Sequence, residues 1–452
     1  MIRRLILPLA LLTAVVMTAR ATHAAGRVAK QYVAPGGSGA LFLLSGHGYG
    51  HGVGLGQWGA EGYALHGSTY DEILAADYPG TTLSQTTVRK LRVLLADGQS
   101  SLTVSSGKPI AVVDGDGAAH AFPAGSTKLT TPLPYPAPLT LSPASGSTLT
   151  LGTAYRGKLV ISLVSGRLRA INVVPVQEYL DAVVASEMPS SWKPDALEAQ
   201  AVASRSYALA GRKAGVPYDV SVSGQSYLGV AAETPQGDAA VAATNGQVLT
   251  YGGKIATTVY SSSTGGWSQS ATDAWGGGAP YLVSVKDPYD TVSPWHDWGP
   301  IPVTGKDLAA ALGLSGKPVD ATVTRNGSKR VAQLNVTTRG HGSQSATGNE
   351  VGAALNLRSS WFSVDVLSLL RPRPNPPVSA GTTVTLTGVV RGIKNVVLQE
   401  RPAGGSWTDD GPVTPDPKTG AISIDVAPTV TTQYRLATTA DAAAWLRIRV
   451  AS

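Results

Sequence analysis

The 452-residue chain contains no cysteine. It can therefore form no disulfide, thiolate zinc site or iron–sulfur cluster, and it has no cysteine nucleophile. Charged residues make up only 14% of the sequence and phenylalanine occurs three times, whereas 43% of the residues are hydrophobic and 52 are glycine. Disordered chains are rich in charge and poor in apolar residues, so this composition predicts a folded, loop-rich protein that contains strands and is long enough for two or three domains.

The one long apolar run lies at the N-terminus. Arg3 and Arg4 precede apolar residues 5–19, and small residues follow at plausible cleavage positions. Fifteen residues interrupted by Arg20 fall short of the ~20 needed to span a membrane, so residues 1–24 are predicted to be a signal peptide rather than an anchor. We expect a secreted protein that is not an integral membrane protein after cleavage. Loss of the segment reduces the net charge from +7 to about +4, a basic excess that suits an anionic envelope. No cluster of lysine and arginine suggests nucleic-acid binding.

A proline-rich segment, residues 372–377, divides the chain. It is too dense in proline for a helix or an interior strand and is predicted to be a stiff linker. Beyond it, short β-branched runs separated by turn residues predict a small β-sandwich over residues 378–452. Upstream, short strands and two helical patterns predict an α+β domain over residues 26–371.

The first helical pattern, residues 175–187, puts an acidic residue on an apolar face. Positions that share this face are Val176, Leu180, Val183 and Glu187. Because Glu187 also lies in the last turn, where the helix dipole opposes a carboxylate, burial and the dipole should both raise its pKa. A carboxyl that stays partly protonated near neutrality suits a general acid that expels a sugar alkoxide. The alternative is a structural ion pair with Arg205, and position alone favours neither interpretation.

The second helical pattern covers residues 194–213. It begins with proline at a favoured first position and ends with Arg212 and Lys213, which suit the negative end of the helix dipole. Its many alanines would let it approach a sheet or another helix closely.

Residues 45–60 alternate glycine with other residues and are predicted to be a loop that presents His47, His51, Gln57 and Trp58. The two histidines are four residues apart, which aligns metal ligands only on a helix, so we predict no metal there. The segment also lacks a phosphate-loop pattern.

A second polar segment, residues 260–278, places hydroxyls, including those of Ser262 and Ser263, near Trp275. Hydroxyls and amides beside indole rings suit a sugar, whose apolar ring face stacks on tryptophan. No Gly-x-Ser-x-Gly elbow is present, so a serine hydrolase is not expected. The alternative is an ordinary polar surface loop.

Several motifs resemble the SpoIID/LytB family of cell-wall proteins. The similar pieces are VPVQEYL (174–180), SEMP (186–189), AQAVASRSYA (199–208), QSYLG (225–229), SSSTGG (261–266), residues 348–362 and the histidine–glycine segment continuing to residue 81. Together they span about residues 43–362, and the SEMP piece with its AQAVA block is highly specific.

The resemblance implies a function. Enzymes of this family look like lytic transglycosylases, which cut the β-1,4 bond after N-acetylmuramic acid in peptidoglycan glycan strands and leave a 1,6-anhydro end. It implies that Glu187 is the catalytic residue, acting first as acid and then as base, with no cofactor. Further substrate-binding candidates in matching motifs are Gln200, Arg205, Tyr207, Gln225 and Tyr227.

Two alternatives stay open. Other relatives are described as amidase enhancers, so the chain could instead bind glycan without cleaving it and enhance a cell-wall amidase. A hydrolase that uses water would need one of Asp273, Asp287 or Asp290 near Glu187.

The order of the motifs departs from the family pattern. In other members the histidine–glycine element follows the segment similar to residues 357–362, whereas here it precedes everything. The chain therefore resembles a circular permutant, and residues 40–44 should lie close to residues 361–364. Some members bind zinc through Cys and His just before the QSYLG piece, but this chain has residues 220–224 (VSVSG) there, so no zinc is expected. The tail resembles Ig-like modules of secreted bacterial proteins.

Overall fold

A computed structural model describes residues 32–33 and 39–451. The predicted signal peptide, residues 1–24, lies outside the described residues. The fold is α+β and rich in strands, as predicted. It divides into a first unit, residues 54–260 and 279–283, and a second unit, which comprises the other described residues.

The described residues contain eight α-helices. These are α1 (Gln57–Leu65), α2 (Tyr70–Asp77), α3 (Val176–Glu187), α4 (Pro194–Ala210), α5 (Pro235–Ala243), α6 (Ala271–Trp275), α7 (Gly305–Leu312) and α8 (Gly348–Leu355). The earlier strands are β1 (Tyr32–Val33), β2 (Leu41–His47), β3 (Leu55–Gly56), β4 (Thr82–Gln85), β5 (Lys90–Gln99), β6 (Ser101–Ser106), β7 (Ile110–Val113), β8 (Ala119–Phe122), β9 (Gly125–Thr130), β10 (Leu139–Ser142), β11 (Leu149–Leu151), β12 (Thr153–Tyr155), β13 (Lys158–Val164), β14 (Arg167–Pro175) and β15 (Val220–Ser221). The later strands are β16 (Gln247–Tyr251), β17 (Lys254–Ile255), β18 (Tyr260–Ser261), β19 (Asp297–Thr304), β20 (Lys317–Arg325), β21 (Val331–Arg339), β22 (Gly342–Thr347), β23 (Phe362–Leu370), β24 (Val384–Arg391), β25 (Val397–Pro402), β26 (Thr408–Pro412), β27 (Ala421–Val426), β28 (Thr432–Ala437), β29 (Asp441–Ala442) and β30 (Leu446–Ile448).

Helix α4 is the centre of the helical part of the first unit. Most of its residues are buried, and it contacts α1, α2, α3, α5 and β16. Small alanine side chains allow these approaches from several sides. The helix ends at Ala210, three residues before the predicted end. The carbonyl oxygen of Asp219 approaches Gly211 so closely that a Cβ there would lie 2.4 Å from it, so position 211 requires glycine. Arg212 and Lys213 therefore lie beyond the helix rather than in its last turn.

Three sheets lie in the first unit, and the smallest has the order β17-β16-β4. A seven-stranded sheet has the order β15-β5-β14-β13-β10-β7-β8, and a four-stranded sheet has the order β12-β11-β6-β9. Leucines, isoleucines and valines that alternate along these strands share one apolar core. The sheet strand β14 leads directly into α3, which places that helix and its last residue, Glu187.

The second unit is organised by a five-stranded sheet with the order β19-β2-β23-β24-β27. Alternate residues of β2 enter two different cores: Leu41 and Leu43 face one, while Phe42 and Leu44 face the other. Strand β23 alternates in the same way, so the sheet is covered on both faces.

One of these cores contains residues from both sides of the proline-rich segment, which the sequence suggests is a linker. Strand β23 pairs antiparallel with β24, on the far side of residues 372–377, and Leu41, Leu43, Leu367 and Leu369 pack with the apolar residues of β24 to β30. Residues 378–451 thus complete a sheet and core begun by upstream strands, whereas the composition suggests a separate sandwich.

The expected closeness of residues 40–44 and 361–364 is confirmed. Strand β2 pairs antiparallel with β23, with Leu44 opposite Val364, and the Trp361 carbonyl accepts a 2.9 Å hydrogen bond from the His47 N–H. This contact joins the ends that a circular permutation would leave adjacent.

Among the described residues, no helix combines the length and apolar character needed to cross a membrane.

Candidate active site

Glu187 is the last residue of α3 in the first unit. The helix ends here because Pro189 favours extended geometry at Met188, which has φ −127° and ψ 145°. The carboxyl is surrounded mostly by protein atoms, although the residue as a whole is only half-buried. The carboxyl is therefore largely shielded from bulk water.

The two carboxyl oxygens of Glu187 have unequal surroundings. Oε1 accepts a 2.8 Å hydrogen bond from the main-chain N–H of Ser226 and a 3.2 Å bond from the Tyr260 hydroxyl. Oε2 has one long contact, 3.5 Å from Nε2 of Gln57, and the same amide lies 3.3 Å from the Glu187 carbonyl oxygen. Oε1 is thus well satisfied as an acceptor, and Oε2 is the freer atom.

A hydrogen-bond chain fixes the direction of the Tyr260 bond. Nε2 of Gln225 donates to the Ser204 carbonyl oxygen at 3.2 Å and to Tyr260 Oη at 3.0 Å, while Oε1 of Gln225 accepts from Tyr179 at 2.8 Å. A carbonyl can only accept, so the amide orientation is set. Tyr260 therefore accepts a hydrogen bond from Gln225 and donates its own hydroxyl hydrogen in a bond to Glu187.

Burial raises the pKa of Glu187, and the hydrogen bonds from Ser226, Tyr260 and Gln57 partly oppose that rise. Burial and the nearby Glu187 carboxylate also raise the pKa of Tyr260, so the phenol keeps its proton. Glu187 therefore has the environment of a general acid that gains and loses a proton more readily near neutrality than an exposed glutamate does.

The first turn of α1 supplies Gln57 and an aromatic neighbour. The sequence suggests a loop for Gln57 and Trp58, but both begin α1, after Gly56 in extended geometry. The rings of Trp58 and Trp192 lie 4.6 Å apart, and both residues are half-buried. Trp192 lies five positions after Glu187 in the sequence and was not singled out by its pattern.

Arg205 has an environment different from either role suggested by the sequence. The residue is fully buried, and its guanidinium donates to the carbonyl oxygens of Gln247 at 3.0 Å and Val241 at 3.3 Å, and to Oε1 of Gln177 at 3.3 Å. Glu187 is not among its partners. Arg205 thus joins α4 to α3, α5 and β16 through main-chain and amide oxygens and a 3.5 Å contact with the Thr244 hydroxyl.

The other candidates of the first unit surround Glu187 at different depths. Gln200 is fully buried, 3.5 Å from Gln57 and 2.8 Å from the Ser204 hydroxyl. Tyr227 is buried and donates to Asn172 at 2.8 Å. Tyr207 is half-buried, and its pKa is raised by burial and by Glu187. Of these three, Tyr207 is the one whose exposure suits contact with a ligand.

The remaining candidates lie in the second unit, where two polar segments run side by side. Tyr49 bridges to Ser263, and Gly48 and Gly265 have φ of +76° and +72°. A Cβ on Gly48 would lie 2.8 Å from the Ser263 carbonyl, and one on Gly265 would lie 2.6 Å from the Cβ of His47. The glycines are therefore needed for this close approach.

In these two polar segments of the second unit, histidine and serine side chains contact carboxylates and an aromatic ring. Nδ1 of His47 lies 2.6 Å from Asp297, and the ring of His51 lies 5.3 Å from that of Trp275, which is 40% exposed. The Ser263 hydroxyl donates to the buried Asp290, and Ser262 is half-buried. His47, which the sequence suggests lies in a loop, ends strand β2.

The three aspartates considered for a water-using hydrolase have partners within the second unit. Asp290 accepts from the main-chain N–H groups of Thr264 and Gly265, Asp287 accepts from the Thr264 hydroxyl, and Asp273 accepts from Ser328. In the part of the chain that the structure describes, no group of three or more His, Cys, Asp or Glu side chains could hold a metal ion.

Comparison with known proteins gives matches to one family. Residues 164–251 match the SpoIID family model, described as Stage II sporulation protein, and this region includes α3, α4 and the residues 225–227 that contact or surround Glu187. No solved structure matches the chain significantly.

Curated relatives carry two kinds of name. "Stage II sporulation protein D" of Bacillus subtilis strain 168 is 29% identical over 221 residues, 43% of this chain and 61% of that protein, and its namesake of Bacillus amyloliquefaciens is 34% identical over 144 residues, 28% of this chain and 42% of that protein. "Amidase enhancer" of Bacillus subtilis strain 168 is 37% identical over 116 residues, 26% of this chain and 16% of that protein. The chain thus spans less than two thirds of each of these relatives. Residues 164–251 thus match a SpoIID domain, and the chain is similar over part of its length to proteins named for sporulation and for amidase enhancement.

Proposed function

We propose that this protein is an exported lytic transglycosylase that cuts the β-1,4 bond after N-acetylmuramic acid in peptidoglycan glycan strands. Its relatives are named for sporulation and for amidase enhancement, which supports a role in the cell wall. The observation that carries the enzymatic proposal is the unequal pair of oxygens on Glu187. Oε1 is occupied by two donors, while Oε2 has only a 3.5 Å contact, so Oε2 is the atom that holds the transferable proton.

In the first step, Oε2–H of Glu187 gives its proton to the glycosidic oxygen. The bond from that oxygen to C1 of the muramyl sugar breaks, its electron pair stays on the leaving oxygen, and C1 acquires positive charge. The new carboxylate is stabilised through Oε1 by the Ser226 N–H and the Tyr260 hydroxyl.

In the second step, the same carboxylate acts as the base. Oε2 takes the proton of the C6 hydroxyl while that oxygen bonds to C1, which closes the 1,6-anhydro ring and restores the acid form of Glu187. No water is consumed. One carboxyl thus performs both transfers, whereas hydrolases normally use two.

The partners of Glu187 support this single-carboxyl scheme. They are a main-chain N–H, a phenol and an amide, and across the described residues no second carboxylate contacts Glu187. The half-buried rings of Trp58 and Trp192 adjoin Gln57 on α1 and offer apolar surface for a sugar ring. Tyr207 is half-buried, and burial and the charge of Glu187 both raise its pKa.

The second candidate function is a non-catalytic protein that binds glycan and enhances a cell-wall amidase. It is favoured by the 37% identity to the relative named "Amidase enhancer". In that case Glu187 would be a ligand-binding or structural carboxyl.

Mass spectrometry of glycan strands, prepared with and without stem peptides, separates the candidates. The mature protein should generate anhydromuramyl ends and Glu187→Gln should not, while Glu178→Gln, on the same helix and also half-buried, should remain active. Reducing ends would indicate hydrolysis instead. If the folded protein binds both glycans but cleaves neither, the enzymatic proposal fails and the enhancer is favoured.

A further inference from the structure

A surface depression of about 550 Å³ lies in the first unit, away from the residues that contact Glu187. It is lined by Arg92, Arg212, Lys213, Ala214 and Gly215. Three of these five residues are cations, which is a high density for a chain in which only 14% of the residues are charged.

One of the three cations has a structural partner. Arg92 forms a two-pronged pair with the buried Asp219, with distances of 2.7 Å from Nη2 to Oδ1 and 3.3 Å from Nε to Oδ2, and its Nη1 donates to the Val216 carbonyl at 2.6 Å. The main-chain N–H of Arg92 also donates to Asp219, at 2.9 Å. Asp219 is thus satisfied by Arg92, and Arg92 is a fixed wall of the depression.

The other two cations are surplus to this pair. Nε of Arg212 lies 3.8 Å from Asp219, beyond hydrogen-bond distance, and its side chain is 43% exposed. Lys213 is exposed, and both residues follow the end of α4, so neither lies in the last turn of that helix. Asp219 pairs with Arg92 and lies within 3.8 Å of Arg212, so its single negative charge leaves an excess of two positive charges among the three cations that line this concave surface.

We propose that this depression binds a phosphate group, carried in the wall by a polymer whose units are joined by phosphodiesters. A tetrahedral phosphate has oxygens that can face cations on several sides, whereas the two oxygens of a carboxylate match a single guanidinium. Here the cations come from two segments, β5 and the loop after α4, so they suit the phosphate. The loop turns at Gly215, which has φ +78°.

This site is independent of cleavage. Ser204, which belongs to the Glu187 network, lies on α4 six residues before the helix ends, about 9 Å along the axis at 1.5 Å per residue. A failure of Glu187 to act would leave phosphate binding intact, and the reverse holds too.

Binding is tested with the full mature protein carrying Glu187→Gln, so that no substrate is cut. Titration calorimetry uses inorganic phosphate, a short glycerol phosphate oligomer and, as a carboxylate probe, a polyglutamate of equal charge. We expect the oligomer to bind and Arg212→Ala/Lys213→Ala to weaken it roughly tenfold, since two charge-assisted contacts are lost. The matched control is Lys128→Ala/Arg167→Ala, which removes the same charge from exposed positions elsewhere in the first unit.

Each outcome decides the matter. Tighter binding of the oligomer than of inorganic phosphate supports a phosphodiester polymer as the ligand. Equal binding of the two, lost in Arg212→Ala/Lys213→Ala, supports a site for free phosphate and overturns the proposal of a polymer ligand. Equal losses in the pocket and control variants, or equal binding of polyglutamate, would overturn the phosphate site in favour of general charge attraction. Arg212→Lys/Lys213→Arg keeps the charge and should keep binding, which guards against a misfolded alanine variant.

Discussion

Removal of residues 378–452 should unfold the second unit, although the proline-rich segment before them has the composition of a linker. The cut would uncover the face of the five-stranded sheet formed by Leu41, Leu43, Leu367 and Leu369, which are 0%, 6%, 0% and 3% exposed in the full chain. It would also turn β23 into an edge strand, because β24 would be lost.

The magnitude follows from the buried side chains. Burial of one leucine contributes about 1.5–3 kcal/mol, so four contribute about 6–12 kcal/mol. This is comparable to the whole stability of a typical domain, about 5–15 kcal/mol. The truncated chain should therefore lack a folded second unit and expose apolar surface.

Thermal unfolding and hydrogen exchange of the β2 amides, compared between residues 25–377 and 25–452, would measure the effect. In the full chain, Leu369→Ala should cost about 2–5 kcal/mol, while Leu163→Ala, at a 40% exposed position, should cost far less. A truncated chain that unfolds within about 2 °C of the full chain, a change of under 1 kcal/mol for units of this size, would refute the shared core.

Two further predictions concern the first unit. Because burial raises the pKa of Glu187, the folded state holds its proton more tightly than the unfolded state, so this residue lowers stability as the pH rises above its unfolded value near 4.5. Glu187→Gln should therefore unfold at a higher urea concentration than the wild type at pH 7, and this difference in stability should shrink towards pH 4. Asp181, whose pKa burial raises to about 7, is present in both proteins, so its own pH dependence does not contribute to the difference. A difference that does not change with pH would contradict a raised pKa for Glu187. Arg205→Lys should lower the free energy of unfolding by about 3 kcal/mol, because at least two hydrogen bonds of a buried cation are lost. Calorimetry measures this loss, with Lys254→Ala as a control at an exposed position. An unchanged melting temperature with weaker glycan binding would instead restore Arg205 as a ligand contact.

The sequence predicts the local structure of this chain well where one periodicity dominates. Helix α3 follows from the apolar stripe that ends in Glu187, and it covers all but the first residue of the predicted range 175–187. The predicted end of α4 at residue 213 was wrong, since the helix ends at Ala210, next to Gly211, which the Asp219 carbonyl approaches closely. Such a contact leaves no local pattern.

The surroundings of Glu187 show the same limit. Its position at a helix end could be predicted, but Arg205 was considered as its partner, whereas the observed donors are Ser226, Tyr260 and Gln57. Ser226 donates through its main-chain N–H and Tyr260 through its phenol, and both lie far from Glu187 in the sequence. The one available signal was that Tyr260 immediately precedes the SSSTGG piece of the resemblance.

The pairing of β2 with β23 also determines the order in which the protein can fold. Ser45 and Ser363 are in contact although 318 positions separate them, and closing a loop of that length costs about 5 kcal/mol of chain entropy. Strand β2 is synthesised early but must wait for β19 and β23, while residues 54–260 can fold in the meantime. A growing chain would thus hold the apolar residues LFLL of β2 unpaired until its later strands are made. Folding of the second unit should therefore be slow and sensitive to aggregation until then.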